Sequence, residues 1–329
     1  MREKDTYYIK LSPSGDETLF GLGEAGLFRG LSCDDRPDYE RKLAEVCRDI
    51  DRYASEPSLL SDWPSLRFAV ETAVRDLANG GKRIIFPSEW TEGKDEITIN
   101  GLVWMGDRDE MRRRIADKLA GGFKCVKVKI GGIDFEEEVG LLDFIRREAP
   151  DIQLRLDANG AFRPDQALNR LERLAEFDIH SIEQPIRAGQ WDDMRRICAA
   201  SPIPIALDEE LIGINTADGK LRMLDAVRPA YIILKPTLAG GFEGLEEWIR
   251  LAGERGCGWW ATSALESNIG LNAIAQWVAT LRPEMPQGLG TGQLYHNNIP
   301  SPLTLRGDRL SYSRADRWEI PPLQWNSTD

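Results

Sequence analysis

The chain has 329 residues, of which 42% are hydrophobic and 29% charged, with a formal net charge of −12 at pH 7. It is too apolar for a disordered segment and too mixed for a collagen, and at about two domains' length it needs no disulfide staples to bury a core. Its acidity speaks against wrapping nucleic acid or coating an anionic membrane, and leaves room for local positive charge inside a pocket.

Five scattered cysteines, Cys33, Cys47, Cys125, Cys198 and Cys257, form no CxxC and suit a reducing compartment. Two histidines, His180 and His296, give a histidine metal site or a Ser-His-Asp triad little to work with. The start, MREKDTYYIK, lacks an apolar signal core, and no run approaches the ~18 apolar residues of a membrane span. The expectation is a cytoplasmic protein acting on a small molecule, without nucleic-acid or membrane partners. Association into a homo-oligomer stays open.

In chain order, TYYIKL within 5–11 predicts a strand, PSGDE a turn and TLFGLGEAG a second strand. Residues 37–53 carry Leu43, Val46, Cys47 and Ile50 at helical spacing, and 66–77 read as a further helix. From about Ile97 short apolar strands alternate with amphipathic helices. CVKVKI, IQLRLDAN, SIEQP, PIALDEE, YIILKP and WWATSA are the strands, and such alternation pairs them in parallel. The polar or small residues near successive strand ends are Trp104, Lys129, Asp157, Glu183, Asp208, Lys235, Ser263 and Gly290, in steps of 25 to 28 residues. Eight even units predict a closed (β/α)8, TIM-like barrel. The rival, a doubly wound sheet, would open on GxGxxG; Gly21-Leu22-Gly23 lacks the third glycine. The tail beyond Pro300 carries no barrel repeat, and is read as a return to the first unit or a flank on the barrel.

In such a barrel the chemistry sits at the C-terminal strand ends. Asp157, Glu183 and Asp208 end three successive strands, whose spacing of ~4.8 Å would bring their carboxylates together. Each alone could cap a helix or pair with an arginine. Three in register suit a hard divalent cation, Mg²⁺ before Zn²⁺ because the donors are all oxygen. Lys127 and Lys129 alternate on one strand and face the same way, and Lys235 lies four strands on, across the barrel mouth. Mutual repulsion and a metal would lower a lysine's pKa and make it a base. Metal plus lysines suits abstraction of a proton α to a carboxylate, the pattern known from enolases.

The chain resembles the enolase superfamily, in its muconate-lactonising subgroup. KVK at 127–129, LDAN at 156–159, IEQP at 182–185, LDEE at 207–210 and LKP at 234–236 carry the resemblance. Longer segments, such as GLGEAGLFRGLSCDD at 21–35, SALESNIGLNAIAQW at 263–277 and GLGTGQLYHNNIPSPL at 288–303, are similar to o-succinylbenzoate synthases of the Bacteroidetes-like type. The resemblance implies an enolase-type barrel over 96–300 with a separate α+β capping domain over 1–95, completed by 301–329 and lacking the family's first strand. It implies dehydration of 2-succinyl-6-hydroxy-2,4-cyclohexadiene-1-carboxylate to o-succinylbenzoate in menaquinone synthesis. Lys129 would be base then acid, Lys235 the opposing cation and Lys127 a group tuning Lys129. Asp157, Glu183 and Asp208 would hold Mg²⁺, with Mn²⁺ able to substitute, and Asn159 and Glu209 would support them.

For substrate contacts the candidates are Ser263, Gly290 and Gly292, set against a helix N-cap for the serine and turn geometry for the glycines. Residues 23–32 would form a lid, and Trp104 is read as packing. The alternative activities are N-acylamino acid racemisation and dipeptide epimerisation by a two-lysine relay. GTGQ at 290–293 offers no Asp-x-Asp for a dipeptide ammonium. A non-catalytic binding module is the third reading, and the retained lysines and carboxylates argue against it.

Overall fold

The computed structural model describes residues 4–323 and 325–326. Its first unit pairs β1 (Tyr7–Leu11) with β2 (Gly21–Ala25) in an antiparallel hairpin. Helices α1 (Tyr39–Arg48), α2 (Ile50–Ser55) and α3 (Pro64–Ala78) follow. The single helix expected over 37–53 breaks at Asp49, which leaves helical geometry at φ −117°, ψ 42°. The Gly21-Leu22-Gly23 run serves packing rather than phosphate binding. A Cβ on Gly21 or Gly23 would stand 1.9 Å from the carbonyl oxygen of Ala73 or Ala69, so only glycine lets α3 lie on this strand.

The apolar face of α3 and the residues Ile9, Leu27, Tyr39, Val46, Tyr53 and Leu60 make a core of their own. Asp34 is buried beside it. Its Oδ2 accepts the Ser65 N–H at 2.9 Å and the Ser65 hydroxyl at 2.6 Å, and its Oδ1 has no partner among the described residues. Burial pushes this carboxyl up to about 6 against the bonds from Ser65. The folded chain therefore holds this proton more tightly than the unfolded chain. The contribution is fully present below the unfolded value of 3.8 and is lost as pH rises through about 6. Urea midpoints of the native chain should accordingly fall relative to Asp34→Asn between pH 4 and 7, by about 2–3 kcal/mol in stability. Parallel curves would show that Asp34 is ionised in the folded state.

The second unit begins with β3 (Ile97–Thr98) and proceeds through β4 (Gly101–Val103), α4 (Arg108–Ala120), β5 (Cys125–Lys129), α5 (Phe135–Glu148), β6 (Gln153–Asp157), α6 (Ala167–Ala175) and β7 (Ile179–Glu183). It continues with α7 (Trp191–Ala200), β8 (Ile205–Leu207), α8 (Ala217–Val227), β9 (Tyr231–Leu234), α9 (Pro236–Ala239), α10 (Gly241–Gly253), β10 (Gly258–Ala261) and α11 (Asn268–Leu281). Strands β4 to β10 form one parallel sheet in sequence order. Side-chain caps set several helix starts. Asp107 and Glu110 close a capping box at the start of α4, and Asp134 and Thr216 cap α5 and α8.

The expected eighth strand is reduced to two bridges, Ile99 with Gln287 and Thr262 with Gly288. Gln287 takes the Asn100 N–H and gives its own to Thr98, while its side-chain oxygen receives the Ala261 N–H at 2.7 Å. The strand stops short because Pro283 and Pro286 precede it without donors and glycines follow it. The sheet edges thus meet through Gln287 and Gly288, and the barrel closes.

The tail forms a hairpin of β11 (Leu303–Arg306) and β12 (Arg309–Tyr312), and β12 pairs with β3 at the entry to the barrel. Trp90 of the first unit donates its indole N–H to the Leu310 carbonyl at 3.1 Å and meets the Tyr312 ring, and farther on Trp318 and Ile320 pack with Tyr8, Phe20 and Leu22. No helix among the described residues is long and apolar enough to cross a membrane, and all five cysteines are free thiols.

Candidate active site

Parallel register aligns the charged strand ends. Lys129 pairs with Asp157 and Asp157 with Glu183, while Asp208 directly follows β8. One layer below, Lys127 lies beside Arg155 and Arg155 beside Ser181. Lys235 ends β9 and opens α9. The structure thus brings together Lys127, Lys129, Lys235, Asp157, Glu183 and Asp208, all at the carboxyl end of the barrel.

The charges alternate. The Lys127 ammonium stands 3.0 Å from both Asp157 and Glu183, and Lys129 stands 2.8 Å from Asp157. Lys235 pairs with Asp208. Among the described residues no three histidines, cysteines or carboxylates are already gathered as a metal cluster, because ammonium groups stand between the carboxylates. Burial alone would lower Lys127, but Asp157, Glu183 and Asp208 outweigh it and hold the lysine above its ordinary range. Asp208, then Glu183 and Glu209, do the same for Lys235. For these two lysines the nearest charges are carboxylates rather than each other, and attraction outweighs mutual repulsion. Burial and the neighbouring Asp157 push Glu183 upward, against the pull of Lys127. Asp157, flanked by Lys127 and Lys129, stays below the carboxylate range despite its burial.

Two supporting groups take up strained backbone. Asn159 has φ 42° and Gln184 has φ 41°, the left-handed region that non-glycine residues rarely occupy. Asn159 accepts from Lys129 at 2.7 Å and donates to Glu209 at 2.8 Å, linking three strand ends. Gln184 accepts the Asp208 N–H at 3.2 Å and the Glu210 N–H at 3.3 Å, and donates to Glu210 at 3.1 Å. It ties β7 to the loop carrying Asp208. Gln184 lies within IEQP, and nothing in those letters signals its backbone or its role.

These residues open into a cavity of about 260 Å³. Phe28 and Leu31, from the loop expected as a lid, cover it with Leu238 and Leu265. Ser263 and Gly290 line it; Gly292 does not. Gly292 instead packs on α11, where a Cβ would come within 2.8 Å of Asn268 and 2.9 Å of Leu271. Neither glycine has positive φ; close packing on α11 accounts for Gly292, whereas a Cβ on Gly290 would come no nearer than 3.4 Å, to Ile99. Ser263 is not the cap of α11; Ser267 is. The Ser263 hydroxyl donates to Glu266 at 2.5 Å and accepts the Leu265 N–H at 3.0 Å.

Trp104, read from sequence as packing, presents its ring to Lys129, 5.2 Å from the ammonium. Asn100 Oδ1, Thr262 Oγ1, Thr291 Oγ1, Trp104 Nε1 and Glu209 Oε2, all on cavity-lining residues, are buried without partners among the described residues. Such atoms are costly unless a ligand or water satisfies them. Among these, Asn100, Thr262 and Thr291 went unnoticed in the sequence because Asn and Thr are common at strand ends.

The pattern described as enolase C-terminal domain-like matches residues 110–314. A Desulfotalea psychrophila protein named o-succinylbenzoate synthase is 46% identical, covering 95% of this chain and 93% of its own. The chain belongs to the o-succinylbenzoate synthase family, within the enolase superfamily. It is an enzyme of that family, with the family's barrel. A synthase of the same name from Thermobifida fusca is 29% identical over 71% of this chain and 74% of its own. The crystal structure of MenC from Desulfotalea psychrophila LSv54 superposes with a TM-score of 0.83 at 45% identity, over 94% of each chain. Muconate lactonizing enzyme, at 21% identity and a TM-score of 0.79 over 94% of this chain and 89% of its own, shares the fold.

Proposed function

We propose that this enzyme dehydrates 2-succinyl-6-hydroxy-2,4-cyclohexadiene-1-carboxylate to o-succinylbenzoate, in the cytoplasm, as a step of menaquinone synthesis. The observation that carries the reading is the meeting of Lys129 and Lys235, from strands β5 and β9, at one cavity with three buried carboxylates between them. Residues 96–300 would be the catalytic barrel and 1–95 the cap over it.

Asp157, Glu183 and Asp208 fit a hard divalent cation. They are buried, offer only oxygen, and end adjacent strands; Glu209 adds an orphaned buried oxygen nearby. Mg²⁺, or Mn²⁺ in its place, would supply positive charge to the substrate carboxylate and so acidify its α-proton. Lys129, acting as the base, takes that proton onto Nζ. The same ammonium then returns it to the hydroxyl on the neighbouring carbon, which leaves as water, a syn elimination with no net proton change. Asn159 and Asp157 hold Nζ in place, and the Trp104 ring bounds it. Lys235, kept protonated by Asp208, faces the anion that forms between the two steps. The carbon ring gains aromaticity, so the protein need only move one proton and hold one charge.

The test is conversion of the cyclohexadiene carboxylate with Mg²⁺ present, followed by loss of diene absorbance and by o-succinylbenzoate in the product. Turnover is the expected result. A second reading, racemisation of N-acylamino acids, draws on the same opposed lysines. Exchange of an N-succinylamino acid α-proton with solvent deuterium, without dehydration of the diene, would put it in first place.

A further inference from the structure

Leu265 stands out among the cavity's apolar residues because its backbone is left-handed, at φ 63°. A leucine gains nothing from that conformation, so its surroundings must impose it. They do so from two sides. From the barrel, Glu266 turns its carboxylate back and accepts the Ser263 hydroxyl at 2.5 Å, the Ala264 N–H at 2.7 Å and the Thr237 hydroxyl at 2.5 Å. The Leu265 carbonyl receives the Tyr295 hydroxyl at 2.7 Å.

From the first unit, the Lys4 ammonium reaches the same carbonyl at 2.8 Å. Glu24, fully buried at the end of β2, accepts the Ser267 N–H at 2.8 Å, the Ser267 hydroxyl at 2.6 Å and the Gly270 N–H at 2.8 Å. Gly270 has no room for a side chain between Glu24 and Glu266. A connection whose only task was to join β10 to α11 would not need two buried carboxylates and an ammonium from the other unit.

We propose that Leu265 is a specificity-determining residue, setting the length of acyl tail the cavity accepts, and that Glu24 is a positioning residue that holds it there. Strand β10 lies across the barrel from β6, so Leu265 is remote from Asp157 and meets the end of the substrate away from the reacting carboxylate. With Phe28, Leu31 and Leu238 it makes an apolar wall suited to the methylenes of a short dicarboxylic acyl chain. The inference rests on the functional reading above, which supplies the succinyl tail.

The test uses binding of stable products, which needs no turnover. Dissociation constants of 2-succinylbenzoate and its one-methylene homologue, 2-glutarylbenzoate, are measured by calorimetry in the presence of Mg²⁺. One methylene against a fitted wall discriminates by about tenfold or more. The native chain should prefer the succinyl compound by that factor. Leu265→Ala should erase the preference, Leu265→Met should keep it, and Glu24→Gln should reduce it while the melting temperature of each confirms folding. An unchanged ratio in folded L265A overturns the role of Leu265, and an unchanged ratio in E24Q overturns that of Glu24. Binding of neither compound to the native chain overturns the functional reading and this inference with it.

Discussion

Lys129→Ala is expected to lower turnover of the cyclohexadiene carboxylate by at least about 10³-fold, within the range a positioned acid–base group supplies. The effect should be large because one Nζ performs both proton transfers, and among the described residues no other lysine reaches the same place. Lys127 lies a layer deeper, held between Asp157 and Glu183, and Lys235 belongs to the opposite side of the cavity. The fold should survive. Asp157 keeps Lys127 as a partner at 3.0 Å, so the truncation leaves no buried carboxylate unpaired. Stopped-flow assays and thermal melts of the variant check both halves. A folded variant that still dehydrates would remove Lys129 from the chemistry.

Chelation is expected to have the second large effect. EDTA should reduce turnover by more than about 10³-fold, and Mg²⁺ or Mn²⁺ should restore it. The melting temperature should move little on chelation, because Lys127, Lys129 and Lys235 already neutralise the carboxylates. Titration with Mn²⁺, followed by loss of the free-ion paramagnetic signal, gives a readout independent of activity. Asp157→Asn should weaken that binding. Full turnover in a metal-free, EDTA-treated sample would overturn the reading of the three carboxylates.

Much of this site is legible in the sequence because its spacing is mechanical. Parallel strands joined by helices of similar length repeat every 25 to 28 residues, so charged residues at equal offsets end at equal heights. Lys129, Asp157 and Glu183 meet for that reason alone. What is not legible depends on three dimensions. The eighth strand shrinks because prolines and glycines crowd one stretch, a local effect that an even count of repeats conceals. The positions of Asn159 and Gln184 depend on left-handed backbone, which their letters do not announce. Gly292 and Gly290 look alike in sequence, yet one packs on a helix and the other lines the cavity. The protonation of Lys127 and Lys235 depends on which charges lie nearest, a matter of distance rather than composition.

The closure of the barrel through Gln287 and Gly288 divides the circle into two arcs of different tolerance. Strands β5 to β9 hold the interlocked lysines and carboxylates, where moving one charge strands another. The seam formed by β10, the two bridges and β4 has little ladder to disrupt, and it carries Thr262, Ser263, Gly290, Thr291 and Asn100 at the cavity wall. Natural variation or laboratory evolution toward a new carboxylate substrate would therefore find its freedom at the seam. The proton-transfer machinery can be inherited unchanged while the seam is rewritten around a different molecule.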